Sequence, residues 1–196
     1  MDLVNVLREL IPFIKGKWFI ADGALLGLTR GKNLISYDND IDLYILEDTT
    51  IDLSDSVLEQ QQYYLCNKIY NPNNDKEKHN PWLEYCSIIK LRNPKFNRSQ
   101  VLLEAKKDYH LKKIISKFTK DHIDIFVIKK NIEDNRYYLS DDATKIGVPY
   151  LTEDDLKIKI NTDLGFDVNI PNNAEQILER QYGPKWHIPD PNFKYF

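Results

Sequence analysis

This sequence has few cysteines, no excess of basic charge and no long apolar run. The two cysteines, Cys66 and Cys86, have neither the spacing of metal ligands nor the density of a disulfide scaffold, so we interpret them as free thiols. A net charge of -3 argues against a nucleic-acid partner, which usually leaves a basic footprint. No apolar run approaches the roughly 20 residues of a membrane span, and the first residues lack the pattern of a signal peptide. We therefore expect a cytoplasmic protein with no membrane span and no nucleic-acid partner.

The order of helix and strand patterns predicts one domain that covers residues 1–196. The chain has no internal repeat, low-complexity tract or linker, and it is long enough to bury a core. Helical spacing predicts helices over 3–14, 24–28, 54–62, 99–120 and 174–182. Alternation and β-branched runs predict strands over 18–21, 37–45, 63–69, 85–91, 122–128, 157–160 and 166–170, with a surface loop over 70–81. We expect an α+β fold, in which helices flank a mixed sheet.

The most informative stretch is residues 37–45, YDNDIDLYI, which carries an acid at every second position. Side chains of a strand alternate between its two faces, so Asp38, Asp40 and Asp42 are predicted to share one face while apolar residues cover the other. Like charges this close raise each other's pKa unless a cation lies among them. Clusters of oxygen ligands suit Mg²⁺, Mn²⁺ or Ca²⁺ rather than zinc. The stretch predicts a site for a divalent metal ion.

Two other structures could carry acids at this spacing. A calcium-binding loop of the helix-loop-helix type would need a glycine and a closing glutamate where the chain has Leu43 and Thr49, so that motif is excluded. A solvated edge strand is the structural alternative, since edges are often charged to prevent pairing. Against it, Asp124 lies inside a second apolar strand, where an isolated carboxylate would be costly without a partner or metal.

The arrangement favours two-metal phosphoryl chemistry. Asp40 and Asp42 can bridge a pair of Mg²⁺ or Mn²⁺ ions, and Asp124 on a neighbouring strand would complete one of them. Such ions, about 3.5–4 Å apart, clamp the attacking and leaving oxygens of a phosphoryl transfer. The three aspartates are therefore the predicted metal ligands and catalytic residues.

The same residues carry a resemblance to a known family. Residues 18–30, WFIADGALLGLTR, and residues 37–42, YDNDID, resemble the "GTLLG…R" segment and the "W-D-D-D-I-D" strand of the LicD/fukutin family. Residues 122–126, HIDIF, are similar to its "D-I-F" strand, and residues 168–189 are similar to its closing pattern "v-x-i-P…L…Y-G-x-x-W-x-x-P". The family belongs to the nucleotidyltransferase superfamily, typified by DNA polymerase β. The resemblance implies a nucleotidyltransferase-like fold.

The resemblance also implies a reaction and roles for single residues. A phospho-alcohol such as phosphocholine or ribitol phosphate would move from a CDP-activated donor to a hydroxyl of a glycan or glycolipid, and CMP would be released. Asp40 and Asp42 would bind the metals, and Asp124 would be a ligand and a base for the acceptor. The substrate-binding residues implied by the motifs are Gly23, Arg30, Lys32 and Asp38, of which Arg30 suits phosphate oxygens best because its fork is planar.

Each role has a structural alternative. Gly23 serves turns equally well, Lys32 has the pattern of a solvated loop lysine, and Asp38 that of a turn former. Two further functions stay open from the sequence: a nucleotidyltransferase that moves NMP from an NTP to a small molecule or protein, and a catalytically silent metal-binding or interaction module.

Overall fold

Within the residues that the structure describes, every predicted helix and strand is present, together with three short strands that the sequence pattern does not predict. The computed structural model describes residues 3–38, 40–51, 63–67, 85–90, 122–138 and 150–190, and for 63–67 and 85–90 it describes the backbone alone. The described helices are α1 (Leu3–Leu10), α2 (Asp22–Gly31) and α3 (Ala174–Tyr182). The described strands are β1 (Ile14–Lys15), β2 (Trp18–Ala21), β3 (Asp40–Leu46), β4 (Thr50–Ile51), β5 (Tyr63–Asn67), β6 (Tyr85–Lys90), β7 (His122–Asn131), β8 (Arg136–Tyr138), β9 (Ile158–Asn161) and β10 (Val168–Pro171).

A mixed sheet forms the centre of the fold, and its strand order is β2-β3-β7-β6-β5. Strands β3 and β7 run parallel, while β2 pairs with β3, and β6 with β7, in the antiparallel sense. Strand β8 also pairs with β7. Helices and sheet together confirm the predicted α+β class. The acidic strand β3 is paired on both sides, so its interpretation as a solvated edge strand is wrong.

The core of the sheet follows from the alternation along its two central strands. Ile41 and Leu43 of β3, and Ile123 and Ile125 of β7, have no exposed surface. Helix α1 packs against both strands, and its Leu7 and Leu10 belong to the same buried cluster. Every second side chain of β3 and β7 is thereby committed to the core, and the intervening ones are left on the opposite face.

Two predictions at the start of the chain need correction. The first helix ends at Leu10 rather than near Ile14, and Ile11–Phe13 form a 3₁₀ turn. Pro12 explains this early end, because proline has no N–H to continue the α-helical hydrogen bonds. Strand β3 begins at Asp40, so Asp38 lies in the preceding turn, where its N–H donates to the carbonyl of Ile35 at 3.0 Å, and not on the strand.

The C-terminal part of the described chain packs against the sheet and α2. The predicted hairpin is present as β9 and β10, and the predicted last helix as α3, which lies against α2. The buried carboxylate of Asp155 anchors this part: it accepts hydrogen bonds from the N–H of Thr152 at 2.6 Å and from Arg180 at 2.6 Å. Asn173 is the N-cap residue of α3, but its side chain makes no cap hydrogen bond and donates to Asp155 instead.

The helices predicted over 54–62 and 99–120, and the loop predicted over 70–81, lie outside the described residues. Within the part that the structure describes, no helix combines the length and the apolar composition needed to cross a membrane.

Candidate metal and substrate site

The parallel pairing of β3 and β7 brings the predicted acids onto one face of the sheet. In its register, Asp40 is opposite His122 and Asp42 is opposite Asp124. Side chains of residues directly opposite each other point to the same face, so three carboxylates and an imidazole converge at the start of both strands. Further along the same face, the rings of Tyr44 and Phe126 meet edge to face with their centroids 5.9 Å apart, which closes the polar region on that side.

His122 lies between two of these acids. Its Nε2 is 3.8 Å from Asp40 Oδ2 and 3.6 Å from Asp124 Oδ2, and the residue is only 8% exposed. One ligand atom from each of the three side chains lies within 4.8 Å of the others. Asp42 is not a member of this group. The arrangement can hold a divalent cation between two carboxylate oxygens and an imidazole nitrogen.

Asp42 experiences the combined field of the acids around it. Burial raises the pKa of its carboxyl well above the usual range, and the carboxylates of Asp22, Asp40, Asp124 and Asp38 raise this pKa further. A divalent cation would reverse this cost, because it favours the ionised form of each carboxylate close to it. The chemistry of the donor set therefore fits a hard or borderline divalent metal.

Asp22 is an acid of this site that the sequence did not reveal. It opens α2 directly after β2, with a φ of 42° that few non-glycine residues adopt. Its carboxylate lies 2.8 and 3.0 Å from the Tyr44 hydroxyl, and it accepts a hydrogen bond of 3.0 Å from Gln181 Nε2. Burial raises the pKa of Asp22 to about 6, although both hydrogen bonds act in the opposite direction. Asp22 thus joins α2, β3 and α3 beside the acidic face.

Gly23 allows the chain to fold closely around Asp38. A Cβ atom on Gly23 would lie 2.7 Å from Asp38 Oδ2, too close for any real contact. The first turn of α2 also has no side-chain cap, because its N-cap residue is Ala21. The two predicted substrate-binding residues, Gly23 and Asp38, are therefore neighbours, and they lie on the side of the site where α2 begins.

A cavity of about 740 Å³ opens next to Gly23 and Asp38. Its walls come from α2, from the turn before β3 and from the segment after α3. Arg30 and Lys185 bring positive charge to it, and Trp186 brings an aromatic surface. A volume of this size is typical of small-molecule sites. The cavity walls thus carry two cations, Arg30 and Lys185, and two acids, Asp38 and Asp190, and the cavity is large enough for a small molecule.

The structure separates the two cations that the sequence placed together. Arg30 lines the cavity beside Asp38, whereas Lys32 is exposed and lines a different cavity of about 370 Å³ together with Lys159 and Glu175. Lys32 also ends α2, with the left-handed φ of 56° common at a helix C-terminus. Of the predicted substrate-binding residues, Gly23, Arg30 and Asp38 share one cavity, and Lys32 does not.

Three contributors to the site were missed or undervalued by sequence reasoning. Asp22, His122 and Trp186 are not among the site residues that the sequence predicts. His122 and Asp124 are two residues apart on one strand, so the alternation of side chains predicts that they share a face. The contacts of Asp22 and Trp186 join distant parts of the chain, and no local signal indicates them.

The site and the sheet together define a class of protein. It is an α+β domain in which two parallel strands gather carboxylates and an imidazole next to a ligand-sized cavity. The chain belongs to the LicD/FKTN/FKRP family, whose nucleotidyltransferase domain model matches residues 15–173, more than three quarters of the sequence. This match confirms the resemblance found in the motifs. No curated protein gives a significant match to the chain.

Family membership suggests a transferase, with a phosphotransferase or glycan-modifying role in general. The matched region contains every predicted catalytic and substrate-binding residue. It ends before α3, so the similarity of residues 178–189 to the closing pattern of the family stays a prediction, although this segment forms one wall of the larger cavity.

Proposed function

We propose that this protein is a divalent-metal-dependent phosphotransferase, which moves a phospho-alcohol from a CDP-activated donor to a hydroxyl of a glycan or glycolipid. The observation that carries the proposal is the register of β3 and β7, which sets Asp40, Asp42 and Asp124 on one face of the sheet. The family match over the same residues supports it. We also propose a nucleotidyltransferase-like fold that occupies residues 1–196 as one domain. The cytoplasmic location and the absence of a nucleic-acid partner remain predictions from the sequence.

Asp40, Asp42 and Asp124 would hold Mg²⁺ or Mn²⁺, two ions in the arrangement that we favour. A divalent cation at these carboxylates supplies neutralisation of the charge that develops on the transferred phosphoryl group and on the leaving oxygen. The carboxylates themselves lie on paired strands, so their backbone positions are fixed before any ligand arrives. Preorganisation of this kind avoids a reorganisation cost during the reaction.

The donor would lie in the cavity of about 740 Å³ with its diphosphate near Asp38. Gly23 would let the backbone of α2 approach the phosphates, because no side chain intervenes. Arg30 is seven residues further along α2, about 10 Å at 1.5 Å per residue, and it lines the same cavity. The guanidinium of Arg30 would bind phosphate oxygens, and Trp186 offers a surface on which a base can stack.

Asp124 is the residue that we assign to the acceptor. Its side chain is 16% exposed, which leaves its carboxylate accessible from the acidic face. In the proposed reaction the acceptor hydroxyl gives its proton to this carboxylate while its oxygen attacks the phosphorus. The bond from phosphorus to the CMP oxygen breaks, and CMP leaves.

Transfer of NMP from an NTP is the second candidate, and the description of the family domain as a nucleotidyltransferase favours it. The two reactions differ in their products, since a CDP-alcohol yields CMP and an NTP yields pyrophosphate. A silent metal-binding module would bind cations and form neither product.

A thermal-shift panel with CDP-choline, CDP-ribitol, CDP-glycerol, CTP and ATP, each with and without Mn²⁺, tests the proposal. A ligand that binds the native state raises the melting temperature according to its concentration and affinity. We expect a CDP-alcohol to give the largest shift, and only with Mn²⁺. A larger shift with ATP or CTP would favour the nucleotidyltransferase, and no shift with any nucleotide would contradict both enzymatic functions.

A further inference from the structure

We infer that His122 is itself a metal ligand and gives this site a preference for Mn²⁺ over Mg²⁺. The inference deepens the proposed function, which assigns carboxylates alone, and it rests on the proposed metal site but not on the identity of the donor. Its basis is the position of His122 between Asp40 and Asp124, in a group whose ligand atoms all lie within 4.8 Å of one another.

The distances around Nε2 suit a shared cation better than direct hydrogen bonds. At 3.6 Å from Asp124 Oδ2 and 3.8 Å from Asp40 Oδ2, Nε2 is beyond the usual range of about 2.7–3.2 Å for N–H···O bonds. Two ligand atoms on one metal with bonds of about 2.0–2.2 Å can be separated by at most about twice that length. Both measured distances fall below this limit, so one cation can contact Nε2 together with either carboxylate, and the third pair of ligand atoms lies within 4.8 Å.

The burial of His122 is the independent second observation. The residue is 8% exposed, and among the described residues its Nδ1 has no hydrogen-bond partner. A buried polar atom without a partner is costly, and a metal bound at Nε2, the nitrogen that faces the carboxylates, would offset this cost by giving the same imidazole a strong interaction. The first position of β7, directly opposite Asp40, holds this ring towards the carboxylates.

The chemistry of the third ligand determines the preferred ion. Mg²⁺ takes oxygen ligands almost exclusively, while imidazole nitrogen is a good ligand for the first-row transition metals. A site of oxygens alone would accept both Mg²⁺ and Mn²⁺. A site of two carboxylates and His122 would bind Mn²⁺ more tightly, because it retains acidic oxygens and adds a nitrogen.

The competing explanation is that His122 is a cation that neutralises Asp40 and Asp124. The two explanations predict opposite results for its removal. Loss of a ligand weakens Mn²⁺ binding, whereas loss of a positive charge from the site strengthens binding of every divalent ion. His122→Gln is the most informative variant, since its amide oxygen can replace Nε2 with an oxygen ligand.

The test combines Mn²⁺ binding with a spectroscopic signature on the purified chain without nucleotide. Electron spin echo envelope modulation of bound Mn²⁺ should show coupling to a ¹⁴N nucleus in the wild type and none in His122→Gln. The Mn²⁺ affinity of this variant, measured by the loss of the free-ion resonance signal, should fall by about tenfold or more, while Mg²⁺ affinity falls less. His187→Gln, which removes an exposed histidine, is the matched control.

Mn²⁺ binding without ¹⁴N coupling in the wild type would overturn the role of His122 and leave the carboxylate site standing. Tighter Mn²⁺ binding by His122→Gln would overturn it in favour of the cationic explanation. Absence of Mn²⁺ binding by the wild type would overturn both the role of His122 and the proposed metal site. Failure to use a CDP-alcohol, with the nitrogen signature present, would affect the proposed reaction alone.

Discussion

Asp42 of β3 lies directly opposite Asp124 of β7 in a parallel register, on the same face of the sheet. Burial raises the pKa of Asp42, and the nearby carboxylates of Asp22, Asp40 and Asp124 raise it further. Repulsion between these carboxylates therefore destabilises the metal-free protein, and a divalent cation would remove this repulsion.

Gly23 and Gly31 form a natural pair of substitutions within α2. Gly23→Ala places a Cβ 2.7 Å from Asp38 Oδ2, and since that atom ends a side chain, Asp38 moves and the fold persists. We expect the KM for the CDP donor to rise about tenfold, equivalent to about 1.4 kcal/mol of binding. Gly31→Ala meets no atom within 4 Å and should leave KM unchanged while it stabilises the helix by up to about 1 kcal/mol. Equal KM values for both variants would contradict a role for the approach of Gly23 to Asp38.

Arg30 and Lys32 test which cavity receives the donor. Arg30→Ala removes the cation that lines the cavity beside Asp38, so the donor KM should rise about tenfold or more. Lys32→Ala removes a cation from the other cavity and should leave KM close to that of the wild type. Steady-state kinetics with the best CDP-alcohol make the comparison. A larger rise in KM for Lys32→Ala than for Arg30→Ala would show that the donor binds in the cavity lined by Lys159 and Glu175.

Asp22 should make the metal-free protein less stable as the pH rises. Its pKa is about 6 in the folded chain against 3.8 in the unfolded chain, so its stabilising contribution is complete below about pH 4 and is lost as the pH rises through 6. Asp22→Asn keeps an acceptor for Tyr44 and tolerates the positive φ. In urea denaturation with EDTA, this variant should gain up to about 3 kcal/mol relative to the wild type between pH 4 and 7.

The matched control for Asp22→Asn is Asp167→Asn, which removes an exposed carboxylate. A difference between Asp22→Asn and the wild type that stays constant from pH 4 to 7 would show that Asp22 ionises freely in the folded protein.

Asp155 should contribute to stability in the opposite pH direction. Burial disfavours its charge, but hydrogen bonds from Arg180 and Thr152 outweigh this effect and lower its pKa. Its contribution is therefore present above the unfolded pKa of 3.8 and is lost as the pH falls below it. At neutral pH, Asp155→Asn should cost about 2–3 kcal/mol of unfolding free energy, because Arg180 loses its charged partner.

Asp154→Asn is the control for this substitution, because the side chain of Asp154 is 76% exposed in its pair with Lys157. Its unfolding free energy should match the wild type, since exposed pairs contribute little. Similar midpoints of urea denaturation for the two variants would contradict the anchoring role of Asp155.

Much of the fold could be predicted from local patterns. The strands β3 and β7 have strict alternation or a long apolar run, and the hairpin of β9 and β10 has two alternating segments with a turn between them. Local patterns could not predict that β3 and β7 pair in parallel, because this pairing depends on contacts between residues about 80 positions apart. Pro12 indicates that α1 ends early, but the helical spacing of apolar residues continues to Ile14 and predicts a longer helix.

The site could be predicted as far as its carboxylates, because an acid inside an apolar strand is costly enough to be conspicuous. Asp22 carries no such signal: it precedes a glycine in an ordinary turn sequence, and its meaning comes from Tyr44 and Gln181. The cavity wall after α3 was equally hidden, since the aromatic residue Trp186 packs partly against the core as well. Local sequence therefore identified the charged groups, and only the fold identified the cavity next to them.

Identification of the released nucleotide tests the proposed function most directly. The purified chain with Mn²⁺, glycan acceptors and CDP-choline, CDP-ribitol or CDP-glycerol should release CMP, detected by chromatography. Asp42→Asn should lower the rate about 100-fold or more, since it removes several kcal/mol of charge stabilisation, while the exposed Asp48→Asn should match the wild type. Release of pyrophosphate from an NTP with no CMP from any CDP-alcohol, or an undiminished rate in Asp42→Asn, would contradict the proposed reaction.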